Sequence, residues 1–375
     1  MTSYETSSSK GLSEQEQLWA LGLLLMPGVG AVTARRLIAF CGGLEGVYHR
    51  NAEALRQIPG IGPAISRAVE RNKVLQQAEK EMAFAQRNAI RIICYLDTDY
   101  PARLKHCDDG PVVLFFKGMA GLNPERVVSI VGTRKPSEHG RKFTRELVNG
   151  LAGNAGQVIS GLAYGIDAEA HRAAIEAGVP TIAVLAHGLD RIYPAMHTKL
   201  AQQMLERGGW ISDFASGTLP DRENFPKRNR IIAGLSDAVI VVEAASKGGA
   251  LITANLAQDY NRDVFAIPGR PDDLMSEGCN RIIRENKAGL VTSASDILYA
   301  MRWDQQSRHA KPQQSLFPVG DPEAERLWEL LSEPRRMDYL ISMSGLSQGR
   351  ISAILLGMEL DGIIHVLPGS RWARG

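Results

Sequence analysis

VVSIVGTRKPSEHGRKFTREL, residues 127–147, decides how the rest of the chain is read. Val127, Val128, Ile130 and Val131 form a short apolar run stopped by Gly132, the pattern of a strand covered on both faces. Gly132-Thr133-Arg134 then makes a tight turn, and a helix is predicted to open near Ser137. The first N–H groups of such a helix lack partners and lie at the positive end of its dipole, so that end favours an anion. Five Arg or Lys against one Glu between Arg126 and Lys142 point to phosphate.

Around this stretch lie 375 residues, enough for two or three domains and one sizeable core. A hydrophobic content of 44% and a charged content of 22% fit an ordinary globular protein. The net charge is only +2, so nucleic-acid binding has to rest on local clusters rather than on overall basicity. Cys41, Cys94, Cys107 and Cys279 are far apart and show no C-x-x-C spacing. That argues against a disulfide framework or a zinc knuckle and fits a reducing cytoplasm. Residues 1–11 (MTSYETSSSKG) read as a disordered polar tail. The apolar run Leu18–Met26 is too short to span a bilayer, so neither a signal peptide nor a membrane anchor is expected.

Residues 12–82 read as a helical domain with two related turns, Pro27-Gly28-Val29-Gly30 and Pro59-Gly60-Ile61-Gly62. Each precedes a helical pattern, and Arg35, Arg36 and Arg67 lie on those helices. The arrangement resembles tandem helix-hairpin-helix elements, which grip a DNA backbone through N–H groups. Helix packing alone explains such turns equally well. Further on, RIICYL and VVLFFKG read as two strands, separated by DTDYPARLKHCDDGP. The Asp, Pro, Gly and Lys of that insert predict a solvated surface excursion rather than a metal site.

Residues 83–302 are expected to form one sheet domain. Strand patterns recur at VVSIVG, QVIS, TIAVLAHG, WISDF, AVIVVEA, VFAIPG and LVTS, mostly separated by helical patterns. The prediction is an α/β, Rossmann-like, doubly wound and mostly parallel sheet, which binds ligands beyond the carboxyl ends of its strands. Those ends carry GTRKP, GLAYGID, HGLDRIYP, FASGTLPDRENFPKRNR, EAASKGG and PGRPDD. Their glycines mean that the backbone approaches something closely there, along one glycine-lined, partly basic rim. A dinucleotide site fails, because Arg134 stands where G-x-G-x-x-G needs its second glycine. A Walker lysine and a G-x-S-x-G nucleophile are also missing. Asp167 and His171 could pair as orienter and base, although an Asp at a helix start is more often a cap.

Arg222–Ser236, RENFPKRNRIIAGLS, carries four cations against one Glu up to Arg230, with Phe225 among them. Aromatic plus cations in a loop before a helix suits single-stranded nucleic acid, a base stacking on the ring while arginines hold phosphates. The competing reading makes Phe225 core and the arginines a solvated face.

VGTRKPSEHG, GLAYGIDAEAH, FPKRNRIIAGLS, VVEA with GGALITANLA, and FAIPG, in this order, resemble the DNA-processing protein A (Smf) family. The resemblance implies an N-terminal helical (helix-hairpin-helix or SAM-like) domain, an extended Rossmann-like sheet and a small C-terminal winged-helix-like domain. It also implies binding of single-stranded DNA, homodimerisation, and loading of a RecA-type recombinase in natural transformation. The DNA-binding residues would be Gly132, Thr133, Arg134, Gly161, Phe225, Lys227, Arg228, Asn229, Arg230, Lys247, Gly248 and Gly249, with Ile282 and Ile283 at a dimer seam. His139, His197 and Lys247-Gly248-Gly249 depart from the family's usual Tyr, Asn and Ser-Gly, and none of these changes removes a cation.

Residues 303–320 are rich in Gln, Ser and Pro and read as a linker. Residues 321–375 predict three helices and a strand–turn–strand wing, with Arg350, Arg371, Trp372 and Arg374 as candidate DNA contacts. A protein-interaction role for this domain is preferred, because its cations are few. No catalytic residue, metal or cofactor is expected. Two rival functions stand: a nucleotide-cleaving hydrolase on a related sheet, and a scaffold with a vestigial pocket. The first needs P-G-G-x-G-T-x-x-E, and residues 246–253 have neither the proline nor the glutamate.

Overall fold

The computed structural model describes residues 12–63, 65–66, 74–304, 322–360, 363–367 and 371–374. The polar tail, Arg67 and nearly all of the expected linker lie outside the described residues. The chain divides into two compact units, the first ending at Asp304.

The first unit is built on a nine-stranded sheet of order β1-β2-β6-β5-β4-β3-β7-β8-β9. Its strands are β1 (Arg91–Cys94), β2 (Val113–Gly118), β3 (Val127–Val131), β4 (Gln157–Ser160), β5 (Thr181–Val184), β6 (Gly209–Ser212), β7 (Ala238–Val241), β8 (Asp263–Ala266) and β9 (Gly289–Leu290). From β6 to β9 every pairing is parallel, while β1 and β2 add an antiparallel edge. This is the predicted Rossmann-like architecture.

β3 lies inside the sheet, and its side chains alternate between two cores. Val127 and Val131 join Ile159, Ile182 and Ile231 on one face, while Val128 and Ile130 join Leu147, Val158 and Ile240 on the other. All five residues of β3 are buried, as expected of a strand with helices on both sides. Truncating Ile130 to Ala would cost about 2–5 kcal/mol, the usual range for a filled core position. Because β4 and β7 flank β3, the chain changes its direction of winding there. The crevice beyond β3 and β7 is therefore the switch point where such sheets place ligands.

The N-terminal helices start at Glu14–Leu25, where Ser13 and Glu16 form a capping box. They share one core with the sheet, since Ala20, Leu23 and Leu37 belong to the same cluster as Val113, Phe115 and Trp210. The segment between β1 and β2 is not the solvated excursion its composition suggested. Tyr100, Leu104 and Cys107 are buried, and the Asp97 carboxylate accepts from the Cys94 N–H (2.7 Å) and the Leu12 N–H (2.9 Å). Trp303, read as the first linker residue, is buried beneath the Arg126 guanidinium.

The second unit has helices at Pro322–Leu330, Met337–Ser344 and Gln348–Leu360. They pack on a three-stranded antiparallel sheet of β10 (Arg335–Arg336), β11 (Ile364–Leu367) and β12 (Arg371–Arg374), in the order β10-β12-β11. Leu327, Leu340, Ile351, Leu355 and Ile364 form its core. The expected wing is present as β11 and β12, and the two-residue β10 had no signal in the sequence.

Candidate nucleic-acid interface

The turn after β3 is held from two sides. The Thr133 N–H donates to the Glu243 carbonyl beyond β7 (2.8 Å), and the Ile166 N–H donates to the Thr133 carbonyl (3.2 Å). Gly165 has a φ of +81°, and a Cβ there would lie 2.3 Å from the Thr133 carbonyl oxygen. The loop after β4 is fixed in turn by Asp167, whose buried carboxylate accepts from the Gly161 (3.1 Å) and Ala163 (3.3 Å) N–H groups. Gly132 packs against Ile166 and Gly161 against the Arg228 guanidinium. The close backbone approaches expected at these two glycines are thus to the chain itself.

The helix behind the turn, Glu138–Leu151, does not present the open anion site expected of it. Its start is filled by the Glu243 carboxylate, which accepts from the Ser137 N–H (2.9 Å) and from the Ser137 hydroxyl. Glu243 is buried and approaches Gly140 so closely that no Cβ fits there. An internal carboxylate has taken the place a phosphate would occupy.

Residues 224–235 are helical, so Phe225, Lys227, Arg228 and Arg230 lie on a helix rather than in a loop before one, and Arg222 alone stands in the preceding turn. Pro226 is compatible because it falls in the first turn, where its missing N–H would have no partner anyway. Two of the expected DNA cations turn inward. Arg228 is 3% exposed and donates to the carbonyls of Gly161 (2.7 Å) and Val184. Burial pulls its pKa down to about 10, against the raising effect of Asp167, so the guanidinium stays charged near neutrality. Arg230 pairs with Asp213 and donates to the Asp109 carbonyl. Both are committed to internal partners and do not reach phosphate as placed.

Other residues face out. Lys227 is exposed, and the Asn229 amide reaches the Gly249 carbonyl at 3.5 Å, joining this helix to the start of the one that follows β7. Arg134 is exposed, and its guanidinium lies over the Phe225 ring at 5.3 Å. Phe225 is half-buried at the rim, outside the core clusters, with Tyr193 at 6.1 Å on its other contact. Among the described residues no ion pair includes Arg134, Lys227 or Lys247.

Lys247 and Gly248 lead into the helix Gly249–Asp259. No side chain caps this helix, and a Cβ on Gly249 would meet nothing within 4 Å. The Leu251 N–H donates to the Gly248 carbonyl (3.1 Å), and Gly249 is exposed beside the exposed Lys247, an uncapped helix start of the kind that favours an anion.

Asp167 and His171 are not a catalytic pair. His171 is fully buried, its Nδ1 bonds the Thr181 hydroxyl (2.7 Å), and that hydroxyl donates to the Val158 carbonyl (2.9 Å). Burial holds its pKa down at about 3, so it is neutral. His197 is also buried, donating from Nδ1 to the Leu162 carbonyl (2.9 Å) with its ring edge-on to Tyr164. The expected helix-hairpin-helix cations are occupied too: Arg35 bonds the Cys107 carbonyl (2.8 Å) and Arg36 the Pro59 carbonyl (2.7 Å). Ile282 lies in the core at 3% exposure rather than at a seam, whereas Ile283 is half-buried. In the second unit Arg350 pairs with Glu323 and Arg374 bonds the Trp328 carbonyl (2.7 Å).

Two rim residues were missed by sequence reasoning: Tyr164 and Tyr193, 41% and 44% exposed. The only available signal was their position in the loops GLAYGID and HGLDRIYP. Among the described residues, no group of His, Cys, Asp and Glu could hold a metal ion. No helix described is long and apolar enough to cross a membrane. A cavity of about 690 Å³ opens beside edge strand β1 and contains none of the rim residues. A strand lying across an open rim needs no enclosed cavity.

A family model described as DNA recombination-mediator protein A matches residues 91–302, and one described as DprA winged helix domain matches residues 308–370. Protein Smf of Synechocystis is 33% identical over 97% of this chain and 100% of its own length. DNA processing protein DprA of Streptococcus pneumoniae is 44% identical over 54% of this chain and 71% of its own. The X-ray structure of the Streptococcus pneumoniae protein matches with a TM-score of 0.64 at 32% identity, covering 77% of this chain and 98% of that one. DNA processing protein A from Helicobacter pylori, whose structure was reported for its single-stranded DNA binding mode, matches at 0.52 with 28% identity over 57% and 96% of the two chains. By its family match, its full-length relative and its fold, this chain belongs to the DNA-processing protein A (DprA/Smf) family.

Proposed function

We propose that the rim binds single-stranded DNA with little sequence preference, and that the protein delivers the strand to a RecA-type recombinase in natural transformation. The observation that carries this reading is the open start of helix Gly249–Asp259, with Lys247 exposed beside it, at the sheet's switch point. Arg134 adds a second outward cation, stiffened by its contact with Phe225. Thr133, Lys227 and Asn229 line the same rim, while Arg228 and Arg230 support it from beneath. The Helicobacter pylori relative's single-stranded DNA binding supports the choice of ligand.

The protein acts as a binder and not as an enzyme on this reading, and works in the cytoplasm. A nucleotide-cleaving hydrolase is disfavoured, because the carboxylates beside the turn are already engaged, Glu243 by Ser137 and Asp167 by the Gly161 and Ala163 N–H groups. The protein pairs with a second copy through a surface that includes Ile283. Ile283→Glu should then weaken the dimer, because a charge would lose water at the seam. Light scattering at micromolar concentration reads this directly, and a monomer for the unmodified protein would rule the pairing out.

Titration with an oligothymidine of about 30 nucleotides, long enough to cover several contacts, tests the binding. Retention of the single strand over the matching duplex is expected. Equal or absent binding would overturn the reading, and release of free base from nucleoside monophosphates would put the hydrolase in its place. Delivery is tested by recombinase filament growth on strands already covered by a single-strand-binding protein; no acceleration would remove that step.

A further inference from the structure

On the reading that the rim takes single-stranded DNA, we infer that its bases stack on Tyr164 and Tyr193, and that Phe225 serves as the buttress for Arg134. Phe225 has the sequence context of a stacking platform, but its ring is engaged by the Arg134 guanidinium at 5.3 Å and by Tyr193 at 6.1 Å. Tyr164 and Tyr193 instead hold large aromatic surfaces in solvent, 41% and 44% exposed, at the strand ends where the cations lie. They extend from the loops after β4 and β5, of which β4 pairs with β3 and β5 with β4.

Tyr164 has a prepared seat. Asp167 ties down the Gly161 and Ala163 N–H groups of its loop, and His197, fixed by the Leu162 carbonyl, meets the ring edge-on at 5.5 Å. Tyr193 leans on Phe225 with the two planes 54° apart. Little freedom is left to lose when a base arrives, and exposed rings with supported backs are what sequence-tolerant stacking requires. The phosphates between such bases would fall to Arg134 and to the open helix start beside Lys247. The ligand class is a run of unpaired nucleotides, because paired bases hide their faces from the rings.

The test compares oligothymidine with an abasic strand of equal length, which keeps the phosphates and removes the bases. The unmodified protein should bind the abasic strand roughly 5- to 150-fold more weakly for each stacked base lost. Tyr164→Ala with Tyr193→Ala should weaken oligothymidine binding by a similar factor, and should make the two strands nearly equivalent. Tyr164→Phe with Tyr193→Phe should keep both the affinity and the preference. The salt dependence of binding should be the same in every variant. Each single Ala variant, with its melting temperature, gives the same reading should the double variant not fold. Ala variants that fold and bind oligothymidine as tightly as the unmodified protein would overturn the inference. Phe variants that lose as much as Ala variants would overturn it too, by assigning the effect to the hydroxyls. Failure of the unmodified protein to bind oligothymidine at all would instead sink the single-strand reading on which the inference rests.

Discussion

Helices Glu138–Leu151 and Gly249–Asp259 begin beyond neighbouring parallel strands, β3 and β7, at the same edge of the sheet. The first is closed by the Glu243 carboxylate through Ser137; the second has no side-chain cap and stands open beside Lys247. A strand, a glycine turn and a helix therefore do not by themselves make an anion site. What decides is whether the fold supplies its own anion. The same division runs through the cations: Arg228 and Arg230 have internal partners, whereas Arg134, Lys227 and Lys247 face out.

The largest expected effect comes from the inward side. Arg230→Ala removes the partner of Asp213, a carboxyl whose pKa burial already raises. Stability should fall by about 3–5 kcal/mol, the usual result of leaving a buried charge unpaired. The salt dependence of DNA binding by the folded variant should not change. A variant of unaltered stability in urea but lower affinity would move Arg230 to the outward group and break the division.

Glu243→Ala comes next. It removes the charged acceptor of the Ser137 N–H and hydroxyl, at roughly 1.5–3 kcal/mol. It also vacates the anion's place at this helix start, where the Ser137 hydroxyl still accepts from the Gly140 N–H, so inorganic phosphate should raise the variant's melting temperature more than that of the unmodified protein. An equal rise in both would mean that Glu243 was not holding an anion's place.

Beneath the rim, His171 gives a pH effect of fixed sign. Its folded pKa of about 3 lies below the ordinary value of 6.5, so between these limits the unfolded chain binds more protons and stability rises with pH. Asp167 and Asp213, raised by burial, contribute with the opposite sign at the acid end. Comparison with His171→Gln isolates the histidine: unmodified protein should lose more stability than the variant as pH falls from 6.5. Parallel pH profiles would show that His171 is not held neutral.

The fold was legible where the pattern was local. Val127, Val128, Ile130 and Val131 announced a strand buried on both faces, and the alternation of strand and helix announced the parallel sheet. The packing of the segment after β1 was hidden because Tyr100, Leu104 and Cys107 stand singly among Asp, Pro and Lys. The inward turn of Arg228 did have a signal. Once residues 224–235 are helical, Arg228 shares a face with Ile231, Ile232 and Leu235 at three, four and seven positions, and Lys227 is turned about 100° away. The closure of the first helix start had none, since Ser137 and Glu243 are brought together only by the pairing of β3 with β7.

The most direct test of the central claim is the salt dependence of oligothymidine binding. Unmodified protein should lose affinity linearly in log–log form, and Lys247→Ala and Arg134→Ala should each lower the slope by about 0.7, one phosphate on a single strand. Lys142→Ala, on the closed helix where Lys142 pairs with Glu146, should leave the slope as it was. An affinity independent of salt, or a slope lowered by Lys142→Ala but not by Lys247→Ala, would contradict the account.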